Sequence, residues 1–104
     1  MNMVCNMETA RFHKLADELL QSLSDYIETA NYNIEVDYLQ GILNISLPDG
    51  KEYVLNKHEP SKQIWLSSPF SGAHKFTYNE ARNIWIGYDK EELLELLKSE
   101  ITNL

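Results

Sequence analysis

From about Glu8 to Thr29 apolar residues return every three or four positions, at Phe12, Leu15, Ala16, Leu19, Leu23, Tyr26 and Ile27, with Ala30 just beyond. That spacing puts them on one face of a helix. Lys14, Asp17, Glu18, Gln21, Asp25 and Glu28 fall on the opposite, solvated face. Asn6 is placed to cap this helix, and Glu8 suits the positive end of its dipole. The period then drops to two. Ile34, Val36 and Tyr38 alternate with Glu35, Asp37 and Leu39, and Leu43, Ile45 and Leu47 alternate with Asn44 and Ser46. Gly41 and Pro48-Asp49-Gly50 mark turns between strands. Further strands are predicted at Tyr53–Lys57, Lys62–Ser68, Ala73–Tyr78 and Ile84–Ile86, separated by turns at His58-Glu59-Pro60-Ser61 and Pro69-Phe70-Ser71-Gly72. The short connections imply an antiparallel meander. Asp89 is expected to cap a second helix, with Glu92 completing a capping box. Leu93, Leu94, Leu97, Ile101 and Leu104 would form its buried stripe.

One apolar stripe per helix and one apolar sheet face have an economical solution. The fold expected is α+β: a two-layer α-β-sandwich with both helices on one face of a five- to six-stranded antiparallel sheet. The other sheet face is wet. Residues 1–104 make one domain, a size that supports a single two-layer core.

Against that pattern, one residue stands on the wrong side. Between Lys62 and Ser68, Ile64 and Leu66 point one way, while Gln63, Trp65 and Ser67 point the other. A tryptophan among polar residues on a wet face is a docking candidate, because tryptophan often supplies interface hot spots. Asn56 and Lys75 have the parity to join it. The plainer alternative is that Trp65 packs under a loop or serves strand propensity alone.

The net charge of −7 makes nucleic acid a poor partner and favours a basic protein surface or a cation. Composition is that of an ordinary soluble domain, and no apolar run is long enough to span a bilayer. The N-terminus lacks signal- or transit-peptide character. Cys5, the one cysteine, cannot form an internal disulfide and lies where fraying is expected. These points favour the cytoplasm of a bacterium, or a matured organellar protein.

The acidic surface is the second candidate site. Asp17, Glu18, Asp25 and Glu28 line the outside of the first helix, and Glu35 and Asp37 share a face of the first strand. Together they could form one negative ridge, although Gln21, Ser22, Ser24 and Thr29 interrupt it. Carboxylates without His or Cys suit hard cations in weak, exchangeable sites. The bland alternative is a solvated helix face that keeps the chain soluble. His13, His58 and His74 are scattered and show no zinc spacing, so each reads as an ordinary surface or boundary residue. His13 neighbours the ridge and could add a ligand to it. There is no nucleophile elbow, phosphate loop or His-Glu-x-x-His, and Ser67, Ser68 and Ser71 sit where turns want serine. Catalysis is not expected.

Asn56, Lys57, Pro60, Gln63, Ile64, Trp65 and Leu66 fit the pattern Asn-Lys-x-x-Pro-x-x-Gln-(Ile/Val)-Trp-Leu. In this the chain resembles the frataxin family, called CyaY in bacteria. The resemblance covers nearly the whole chain and is most specific from Tyr53 to Gly72. Phe12-His-Lys-Leu-Ala-Asp17 is similar to the bacterial branch, and His58 replaces a residue that is often Gln. The resemblance implies the same α-β-sandwich and a role in iron–sulfur cluster assembly as iron donor or regulator. It implies weak binding of ferrous or ferric iron at Asp17, Glu18, Asp25, Glu28, Glu35 and Asp37. It implies docking of a cysteine desulfurase and a scaffold protein through Asn56, Gln63, Trp65, Ser67 and Lys75. A monomer is expected, with oligomers under iron. The alternatives are a metal-independent interaction module that docks through the Trp65 face, and a weak ferroxidase.

Overall fold

The computed structural model describes residues 7–30 and 33–102. Cys5, the Asn6 cap and Leu104 lie outside them. Helix α1 runs Thr9–Ala30 and α2 runs Leu93–Thr102. Between them come β1 (Glu35–Leu39), β2 (Ile42–Ser46), β3 (Glu52–His58), β4 (Gln63–Ser68), β5 (Gly72–Asn79) and β6 (Ile84–Ile86), with a 3₁₀ turn at Glu59–Ser61. The strands form one six-stranded sheet in sequence order, each antiparallel to the next. Both helices pack on one face, as the two-layer α-β-sandwich requires.

Sheet parity sorts the residues. Leu43, Ile45, Tyr53, Leu55, Ile64, Leu66 and Phe76 face the helices and are buried. Phe12, Ala16, Leu20, Leu23 and Ile27 meet them from α1, and Leu93 and Leu97 from α2. The α1 stripe is thus rotated from the one expected. Leu20 and Ser24 lie at its centre, while Tyr26 and Ala30 are exposed. At about 3.6 residues per turn, Ala16, Leu20, Leu23, Ser24 and Ile27 form the tighter row, and Tyr26 falls on its flank. There it takes Lys98 Nζ over its ring at 4.8 Å and ties α1 to α2.

The β1–β2 turn uses Gln40 and Gly41, both at positive φ (54° and 78°), the backbone of a two-residue type I′ hairpin. Gly41 is needed for a second reason: an added Cβ would sit 2.9 Å from Lys57 Cε. The bare glycine lets the Lys57 stem pass toward α1.

The start of α2 departs from expectation. Its cap is Glu92, whose carboxylate accepts the backbone N–H groups of Leu94 (3.1 Å) and Glu95 (3.0 Å). Asp89 instead lies in a loop closed by Gly87 N–H to Glu91 O (2.7 Å), with Lys90 at φ 71°. That loop delays the helix beyond the position the Asp89–Glu92 spacing suggests.

Glu100 fastens α2 to the sheet. It accepts the hydroxyls of Ser68 (2.7 Å) and Tyr53 (2.9 Å). Burial pushes its carboxyl up, but hydrogen bonds from Ser71, Ser68 and Tyr53 together reverse this and hold it below the usual range. Burial and the same carboxylate push the Tyr53 phenol up. The Glu100 contribution to stability is therefore complete above the unfolded-state value near 4.3, and is lost as pH falls through the lower folded value. Glu100→Gln should cost about 2 kcal/mol at pH 7 and flatten the acid side of the stability profile, measured by urea unfolding. Equal slopes for both proteins below pH 5 would count against this.

Candidate functional site

The open sheet face carries a row running across five strands: Leu39 on β1, Ile42 on β2, Asn56 on β3, Trp65 on β4 and Lys75 on β5. Trp65 is half-buried and held from every side. His58 stacks on it from β3, with ring centroids 3.7 Å apart and planes 11° from parallel. Lys75 Nζ lies 4.5 Å from its ring centroid on the β5 side. Its one donor, Nε1–H, goes to Gln63 Oε1 (2.8 Å), and Gln63 in turn donates to Thr77 Oγ1 (3.2 Å). A fixed rotamer loses little entropy when a partner lands on it, which favours binding.

Asn56, Gln63, Trp65, Ser67 and Lys75 thus share the expected face, with Ser67 exposed beside Val54 and Ala73. Sequence reasoning missed His58 and Thr77, which brace the tryptophan. It also missed Leu39 and Ile42, which are 64% and 43% exposed and extend the row as an apolar end. The signal was present, since both sit at the parity of polar residues. A shallow hollow of about 360 Å³ next to Ile42 and Asn56 continues the patch.

The acidic residues are arranged less simply. Asp17, Glu18, Asp25 and Glu28 are exposed along α1. Glu35 and Asp37 are exposed on edge strand β1, at the parity opposite to Val36 and Tyr38, which face the helix layer. Ser24, read as an interruption of the ridge, is in the core. Asp17 is engaged: its Oδ1 accepts Lys57 Nζ (2.7 Å) and Tyr38 Oη (2.9 Å). Slight burial pushes its carboxyl up, but the Lys57 and Tyr38 hydrogen bonds prevail and hold it below the usual range. Burial and Asp17 push the Tyr38 phenol up to about 12. His13 turns to Glu59 (Nε2 to Oε1, 3.3 Å), and its Nδ1 has no hydrogen-bond partner among the described residues. Among the described residues no three His, Cys, Asp or Glu side chains close on a point that could hold a metal ion. The carboxylates form a field, not a cage.

The other two histidines are not bland surface residues. His58 braces Trp65 and its Nδ1 meets Ser61 Oγ (2.7 Å). His74 is mostly buried and paired with Glu91 at 2.7 Å. No helix among the described residues is long and apolar enough to cross a membrane.

A sheet that buries one face under two helices and presents a braced tryptophan on the other defines the class: a two-layer α-β-sandwich domain with a rigid aromatic centre on its open face. The frataxin-like domain family matches residues 5–104, and the chain belongs to the frataxin family. It is 37% identical to the mitochondrial frataxin of Arabidopsis thaliana over 94% of this chain, and spans about half (56%) of that protein. It is 33% identical to the iron–sulfur cluster assembly protein CyaY of Azotobacter vinelandii, over 78% of this chain and 73% of the other. Among solved structures, the frataxin of Psychromonas ingrahamii superposes with a TM-score of 0.84 at 26% identity, covering 93% of this chain and 90% of that one. The trimeric frataxin of Saccharomyces cerevisiae, complexed with ferrous iron, gives 0.70 at 29% identity, covering 99% and 90%.

Proposed function

We propose that this chain serves iron–sulfur cluster assembly as a binding adaptor in the bacterial cytoplasm, docking a cysteine desulfurase and its scaffold protein without covalent catalysis. The observation that carries this reading is the braced Trp65 at the centre of the open sheet face, in a chain whose bacterial relatives bear the cluster-assembly name. The row from Leu39 to Lys75 supplies the apolar and hydrogen-bonding contacts. The carboxylates of α1 and β1 supply the field that steers a basic partner surface. Iron is cargo, held loosely at single exposed carboxylates in exchange with water, because among the described residues no three metal-ligating side chains converge on one point. This dispersal favours a second reading, a module whose docking needs no metal. A ferroxidase is disfavoured for the same reason, since di-iron sites use inward-facing, clustered carboxylates.

The acidic field is tested by reversing Asp25 and Glu28 to lysine. Affinity for the desulfurase, measured by titration calorimetry, should fall at low salt, with the gap to wild type closing as salt rises. Unchanged affinity at low salt would remove the acidic surface from the interface. Repeating the titration with and without ferrous iron under anaerobic conditions separates the adaptor that carries iron from the metal-independent module.

A further inference from the structure

Strand β6 covers only Thr77–Asn79 of β5, so among the described residues Gly72–Phe76 has no strand on its outer side. A groove of about 670 Å³ lies along that open edge, walled by Ile86, Tyr78 and the almost fully exposed Tyr88. Three side chains line it in hydrogen-bond sequence. Ser71 Oγ is 2.9 Å from His74 Nε2, and His74 Nδ1 is 2.7 Å from Glu91 Oε2. These are residues of the β4–β5 turn, of β5 and of the loop before α2, brought together by the fold alone.

Each member is held in place. The imidazole lies nearly parallel to the Phe76 ring, 15° off, with centroids 5.8 Å apart. The other Glu91 oxygen accepts the Asp89 backbone N–H at 2.9 Å. Glu91 curls over Gly87, where an added Cβ would collide with its carboxylate, so this glycine is what admits the acid to the site. Hydrogen bonds from His74 and the loop backbone keep the Glu91 carboxyl below its usual range despite burial, and it stays ionised near neutrality. An ionised acid at Nδ1 fixes the neutral imidazole with its proton on Nδ1. The Nε2 lone pair then faces the serine hydroxyl. Nucleophile, base and orienting acid stand in the order that activates a serine.

We propose that Ser71 is a nucleophilic serine that takes the acyl group of a small activated ester bound in this groove, with His74 as general base and Glu91 as its positioning residue. The hydroxyl proton passes to His74 Nε2 as Ser71 Oγ bonds to the acyl carbon. The bond from that carbon to the leaving oxygen breaks, and the imidazolium returns its proton to the departing group. The backbone N–H groups of Phe70 and Ser71 both point at Ser68 Oγ (3.0 Å each) and are not free to hold an oxyanion. Hydrolysis of the acyl-serine, whose leaving group is poor, is slow without that help, so the adduct accumulates. Ser71 also hydrogen-bonds the Glu100 carboxylate, so Glu100 and His74 compete for the one hydroxyl proton, and attack on the ester proceeds when that proton is turned to His74 Nε2.

The test is acylation of the full chain by 4-nitrophenyl acetate, followed by peptide mass spectrometry. Ser71 should acetylate about 100-fold faster than the exposed helix serine Ser22, the scale of general-base assistance. The rate should fall toward acid. Ser71→Ala should remove the adduct, His74→Gln should bring acetylation at Ser71 down to the Ser22 rate, and Glu91→Gln, which keeps the shape of the acid, should slow it and alter the pH profile. Near-UV circular dichroism checks that each variant is folded. Should His74→Gln fail to fold, Glu91→Gln and the pH profile of the wild type carry the same test. Acetylation of Ser71 no faster than Ser22, or rates in the folded variants equal to wild type at all pH values, would overturn the proposal.

Discussion

Replacing Trp65 by alanine is expected to weaken binding to the cysteine desulfurase–scaffold complex by about 30-fold or more, the scale of an interface hot spot. The tryptophan sits at the centre of the row, between Asn56 on β3 and Lys75 on β5, and its rotamer is fixed before any partner arrives. Truncation removes the anchor and frees His58, Gln63 and Lys75, each of which now takes its position from the indole. The cost to folding is smaller. One aromatic stack and one cation–π contact are together worth about 1–2 kcal/mol. Surface plasmon resonance with the immobilised complex, alongside thermal melts, separates the two effects. Trp65→Phe keeps a ring for His58 and Lys75 but loses the bond to Gln63, and should fall between wild type and alanine. An alanine variant that binds as wild type would show that the open face is only a surface.

The largest expected effect on stability comes from Phe12→Ala. Phe12 is fully buried and meets Trp85 edge-on, with centroids 6.2 Å apart; Trp85 meets Tyr78 in the same way at 5.2 Å. This chain of rings fastens α1 to the β5–β6 end of the sheet. Truncating a buried phenylalanine costs about 3–5 kcal/mol. A domain of this size has only about 5–15 kcal/mol in total, so the melting temperature should drop on the order of 15–25 °C. A drop of only a few degrees would mean that the helix–sheet interface relaxes into the space.

Local patterns are legible in the sequence, and contacts between distant segments are not. Alternation of Ile64, Trp65 and Leu66 was enough to put Trp65 on the open face, because a strand has a period of two and one face must be buried. The Gly41 and Pro48-Asp49-Gly50 turns are visible for the same local reason, and with them the meander. The cap of α2 was not. The Asp89–Glu92 spacing satisfies a capping box, but the Gly87–Glu91 backbone bond turns the chain first, and Glu92 takes the cap. Leu20, one turn after Ala16, lies at the centre of the buried stripe, where the expected stripe runs through Leu19 and Leu23. Which residues share the open face is legible in the sequence; how they contact one another is not. Lys57 reaches Asp17 across forty positions of sequence, and His74 reaches Glu91 across seventeen. Pairings of that range depend on which strands adjoin which helix. They turned one ridge residue into half of an ion pair and a scattered histidine into part of a built site.

The central claim is that the Trp65 face is the docking surface. It is tested most directly by recording two-dimensional NMR spectra of the isotope-labelled chain while the unlabelled desulfurase–scaffold complex is added without iron. Line broadening should concentrate on the Trp65 indole, Ile42, Asn56, Gln63, Ser67 and Lys75, with a second, salt-sensitive footprint at Asp25 and Glu28. Broadening confined to α2 or to the β5–β6 end, with the Trp65 indole unmoved at saturation, would contradict the account.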